Sequence, residues 1–104
     1  MRCDCNPDKI NAVHGYLDEH FPGATLHDFH PSLRLAQAGL PPPQAQHHVV
    51  RVEEDSVSRY VILIYEFMHY SPAEITDRLG QWGLADFLRG IRFVVVSKDG
   101  LAAL

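Results

Sequence analysis

Cysteine is almost absent from this sequence, with two in 104 residues, Cys3 and Cys5. A bridge between residues that close would form a tiny, strained ring and tie nothing together, so the fold is expected to hold without disulfides. Sulfur-based metal sites are marked by two Cys-x-x-Cys pairs, or by one such pair with spaced histidines, and neither occurs. The thiols are expected to be reduced, at a frayed terminus. Long apolar runs are also missing. The longest, Tyr60-Val61-Ile62-Leu63-Ile64-Tyr65, is far short of the roughly 18 residues that a membrane span needs. Met1-Arg2-Cys3-Asp4-Cys5 has no apolar core of the kind a signal peptide carries, so the cytoplasm is the expected location and no membrane partner is expected. Positive charge is scarce and scattered. Nine Lys and Arg stand against 13 Asp and Glu, for a net charge of −4, and no basic cluster marks a phosphate-binding surface, so nucleic acid is not an expected partner.

What the sequence does have is an ordinary globular composition, 46% hydrophobic and 21% charged, which excludes disorder as the starting assumption. Its length fits a single domain, residues 1–104, with one modest core. The densest apolar sequence lies between Arg59 and Val96. There a strand-like run at 60–65 and a second at Phe93-Val94-Val95-Val96 flank a helical region. Both parities of each run are apolar, the pattern of strands covered on two faces. The link between them is long enough for a crossover, so the second run can lie parallel to the first. Ser71-Pro72-Ala73-Glu74 is a capping box, with Ser as N-cap, Pro at the first position and Glu at the third. The helix it starts is expected to bury Ile75 and Leu79 and stop near Gly80, with another helical turn through Leu84, Phe87 and Leu88 ending at Gly90.

Upstream, Asn6-Pro7 opens a helix whose Ile10, Val13, Leu17 and Phe21 recur at spacings of three and four, and Pro22-Gly23 ends it. Residues 24–38 predict a short edge strand broken at Pro31. Residues 39–46, with Pro41-Pro42-Pro43, read as an exposed Pro-rich loop that connects rather than binds. His47 to Val52 forms a hairpin with the central run across the solvated tip Glu53-Glu54-Asp55-Ser56. After a turn at Ser97-Lys98-Asp99-Gly100, residues 101–104 form a returning strand or a docked tail. The expected fold is α+β: a mixed three- to four-stranded sheet, an N-terminal helix and a C-terminal pair of short helices.

No motif specifies a chemistry. The seven histidines do not share local faces. His14 and His20 are six apart on a helix, His27 and His30 point to opposite sides of a strand, and so do His47 and His48. No metal or cofactor is therefore expected, although metal binding through His and Cys stays as an alternative. Glu66, His69 and Tyr70 lie between the carboxyl end of the central run and a helix N-terminus, where sheets with crossover helices place ligands. They are the candidate ligand-binding residues. No catalytic residue is named, because no nucleophile, base and orienting group accompany them.

Phe21-Pro22-Gly23, Glu66-Phe67, Ser71-Pro72-Ala73-Glu74-Ile75 and Trp82-Gly83-Leu84-Ala85 together resemble small uncharacterised bacterial proteins of about this length. The resemblance implies a free-standing bacterial protein and supplies no activity or functional residue. The function expected from the residues themselves is a non-enzymatic protein-interaction module, a homodimer or the partner of another protein. Two runs apolar on both faces need more cover than one long and two short helices provide, unless the first helix takes one face and the later pair the other.

Overall fold

Asn6 sets the start of the first helix, α1 (Pro7–His20): its side-chain carbonyl accepts the Asp8 N–H at 2.9 Å, and Pro7 fills a first-turn position that needs no amide donor. The computed structural model describes residues 6–29, 48–64 and 66–103. Cys3, Cys5, His30, the Pro31 break, the Pro-rich loop, His47 and Tyr65 lie outside the described residues. The Phe21 N–H closes α1 onto the Leu17 carbonyl at 2.7 Å, and Gly23, at φ 86°, turns the chain into β1 (Thr25–Phe29). Strands β2 (His48–Glu54) and β3 (Val57–Leu63) form the expected hairpin. Its tip is a two-residue turn with Asp55 and Ser56 at φ 50° and 68°, the left-handed conformation that a hairpin with right-twisted strands requires.

A 3-10 turn (Phe67–His69) leads to α2 (Pro72–Trp82), α3 (Leu84–Gly90), β4 (Phe93–Ser97) and β5 (Gly100–Ala103). The capping box is present in full. The Ser71 N–H donates to Glu74 Oε1 at 3.0 Å and the Glu74 N–H to Ser71 Oγ at 3.3 Å. The Ser71 backbone bond, together with its side-chain bond, holds the Glu74 carboxyl below its usual range. The helix does not stop near Gly80, as expected, but runs on to Trp82. The terminator is Gly83, at φ 66° and ψ 45°, whose N–H reaches the Gly80 and Leu79 carbonyls.

Among the described residues five strands form one sheet in the order β1-β2-β3-β4-β5, with β3 and β4 parallel and every other pair antiparallel. The expectation of three to four strands undercounts, because both outer segments pair. Lys98 and Asp99 alone link β4 to β5, and Gly100 at φ 144° takes a backbone conformation that side chains rarely allow.

The core lies on one side of the sheet. Val50, Val52, Val61, Leu63, Val94 and Val96 pack against Val13 and Leu17 of α1, Ile75 and Leu79 of α2, and Leu84 and Leu88 of α3. Cover on two faces by helices is therefore corrected. The three helices among the described residues share one face, and β4 alternates: Val94 and Val96 are buried, Phe93 and Val95 half-buried. Ile64, expected to be buried, is half-buried as well. Polar ties fasten α1 in place. Lys9 Nζ donates to the Met68 carbonyl at 2.7 Å, and Arg89 Nη2 to the His20 carbonyl at 2.9 Å. In the interior, the Tyr16 hydroxyl accepts the Ala85 N–H at 3.0 Å, the acceptor that Gly83, as N-cap of α3, has no side chain to supply.

Leu63 is fully buried in this core, so Leu63→Ala is expected to cost about 2–5 kcal/mol in denaturant unfolding. Removing the cap acceptor by Ser71→Ala is expected to cost about 1 kcal/mol. A neutral result in the same assay would mean that Ser71 does not hold the helix end.

Candidate functional site

The carboxyl end of β3 brings the expected ligand residues near one another without converging them. Ile64 stays in register through its N–H to the Val96 carbonyl at 3.0 Å, and the 3-10 turn then points Phe67 and Met68 into the core. Glu66 and His69 are left exposed, joined through the backbone by the His69 N–H and the Glu66 carbonyl at 3.2 Å. Tyr70 turns elsewhere. Its ring meets Phe67 edge-on at 5.8 Å and lies under the Arg78 guanidinium at 4.7 Å, while its hydroxyl donates to the Lys98 carbonyl at 3.2 Å. That use of Tyr70 is structural, since it ties the start of α2 to the β4–β5 turn.

A different set of side chains does converge, and the sequence reading did not join it. Asp28 of β1 is paired in register with Val50, so its side chain faces the helix side of the sheet. There His14 Nε2, from α1, approaches Oδ1 and Oδ2, each at 2.8 Å, and His48 Nε2, from β2, approaches Oδ1 at 3.0 Å. An ionised carboxylate only accepts, so both imidazoles present Nε2–H to it. Only 4% of His48 is exposed. Burial raises the Asp28 pKa, but the bonds from His48 and His14 and their charges outweigh it, so the carboxyl sits below its usual range.

The cluster is a carboxylate bridging two rings, a different arrangement from three donors around a shared centre. Among the described residues no group of three His, Cys, Asp or Glu is placed to hold a metal ion. Residues 14, 28 and 48 have no local spacing to reveal them. The one signal was parity, because Asp28 stands two residues from Leu26, where an apolar side chain is expected. The other histidines serve separately: His20 packs on Tyr16 at 4.3 Å between ring centroids, and His27 Nε2 lies 3.5 Å from Glu53 Oε1.

The sheet face away from the helices carries the third feature. Tyr60 and Phe93, register partners, stack at 5.2 Å with 15° between their planes. Val49 and Ile62 beside them are buried, whereas Phe93 and Val95 are half-buried. Ala102, the register partner of Val95, is exposed. Apolar surface on this face therefore collects on the β4–β5 side.

Among the described residues no helix is long and apolar enough to cross a membrane. No family model, no curated protein and no solved structure matches the chain.

Asp28, with its lowered pKa, stabilises the fold fully above its unfolded pKa, and the contribution is lost as pH falls through the lower folded value. Asp28→Asn is therefore expected to lower stability at pH 7 and to flatten the acid limb of the stability profile below about pH 4. Thermal unfolding of both proteins across that range is the check, and parallel profiles would count against the bridge.

Proposed function

We propose that the protein is a non-enzymatic interaction module whose simplest assembly is a homodimer. The reading is carried by sidedness: the described helices occupy one face of the sheet, and Phe93 and Val95 on the other are half-buried. A partner that comes to the β4–β5 side shields apolar surface that the described helices do not reach. A second copy suits that side because β5, Gly100-Leu101-Ala102-Ala103, bears no charge and meets its own copy without repulsion. A net charge of −4 with scattered basic residues makes a phosphate backbone a poor alternative.

Less supports a ligand-binding or catalytic role for Glu66, His69 and Tyr70. The Tyr70 hydroxyl is already bonded to the Lys98 carbonyl, and Glu66 and His69 are exposed. Metal binding through His and Cys lacks a described donor set.

Static light scattering over the micromolar range tests the reading. The expected mass is that of two chains, falling toward one on dilution. A single-chain mass at every concentration would overturn the homodimer.

A further inference from the structure

We propose that two copies of this chain join along the free edge of β5, strand against strand. The inference rests on the self-association proposed above and goes beyond it by naming a joint at the sheet edge, which extends the sheet past β5 and sets the Phe93 and Val95 faces of the two copies side by side. It comes from a contrast between the two edges of the sheet. An unpaired edge offers a row of backbone donors and acceptors to any arriving strand, and folds guard such edges with charge, proline or an inward-pointing ionised residue. The β1 edge is guarded in this way. Asp28 is turned toward the helix side and pinned there by His14 and His48, with His27 beside it in the strand. The β5 edge has Gly100, Leu101, Ala102 and Ala103, without charge or proline, and among the described residues no strand lies beyond it.

Its backbone faces the right way. The two-residue loop Lys98-Asp99 closes on the pair Ser97 and Gly100, and a loop of that length closes on a hydrogen-bonded pair. Such pairs alternate along an antiparallel ladder, so Ala102 bonds Val95, whereas Leu101 and Ala103 aim their N–H and C=O groups away from β4. A two-fold axis beside Ala102 sets Leu101 against Ala103 of the second copy, and Ala103 against Leu101, each exchanging both outward bonds. Ala102 then faces Ala102 of the second copy on the side away from the helices, where nothing is bulky or charged. A foreign strand added to an edge is selected through pockets for its alternate side chains. Ala102 and Ala103 are exposed and small and build no such pocket, so the match that this edge supplies is backbone to backbone, with itself.

The test uses the full chain and two variants that leave the core untouched. Ala102→Lys sets like charges against each other across the axis. Ala103→Pro removes an outward N–H while the ladder to β4 keeps its bonds. Each is expected to weaken dimerisation about tenfold or more in sedimentation velocity, with the far-UV circular dichroism of the wild type retained. Hydrogen exchange reads the same joint without substitution, with the Leu101 and Ala103 amides protected in the dimer and released on dilution. A wild-type dimer in which those amides exchange freely, or one that both variants leave intact, overturns the β5 joint and leaves self-association standing. A wild type that stays monomeric overturns self-association itself.

Discussion

The parallel pairing of β3 with β4 is the constraint on which the rest of the architecture depends. Antiparallel neighbours can be joined by two residues, as β2 is to β3 and β4 to β5, but parallel neighbours need a connection that returns over the sheet. Here that connection carries α2 and α3 across one face, and α1 packs beside α2 on the same side. Once the helices share a face, the pleat decides everything else. Val94 and Val96 become core, and Phe93 and Val95, between them in sequence, become the opposite surface.

Polar groups on the helix side are paired. The buried Ala85 amide is met by the Tyr16 hydroxyl, and the partly exposed Asp28 carboxylate by two imidazoles. A carboxylate partly withdrawn from water needs its lone pairs used, and here Asp28 has a ring donor from each of two elements. Its place on an outer strand gives the cluster a second effect: the ionised group that binds α1 to the sheet also makes that edge unwelcoming to a further strand.

Most elements could be read from local sequence because each has a local cause. Asn6-Pro7 and Ser71-Pro72-Ala73-Glu74 announce helix starts through groups a few residues apart, and both are found as read. The hairpin and the parallel pair follow from two strand-like runs and the length of the links around them. What local sequence hid was sidedness. Phe93 and Val95 are as apolar as Val94 and Val96, so the alternation that marks a half-covered strand is missing from the letters although present in the burial. Gly80 and Gly83 are alike in sequence, and only the positive φ at Gly83 separates a helix end from a helix interior. The bridge among His14, Asp28 and His48 was out of reach because its members meet only after three elements have packed. Glu66, His69 and Tyr70 are near one another in sequence, and the turn at 67–69 sends Tyr70 toward Lys98.

Strand order along the sheet equals strand order along the chain, and this has a consequence for how the molecule is made. Each strand finds its neighbour in the segment next to it or across one crossover, so the sheet can grow by successive additions with little loop closure at each step. The first helix is the exception. Lys9 waits for Met68, 59 residues on, Tyr16 for Ala85 and the His20 carbonyl for Arg89, each 69 residues on. During synthesis α1 is complete long before the whole of the surface that receives it has been translated. Its partners in β1 and β2, Asp28, Val50 and Val52, emerge soon after it, whereas its ties to the 3-10 turn and α3 wait for the C-terminal part of the chain, so its docking is completed late.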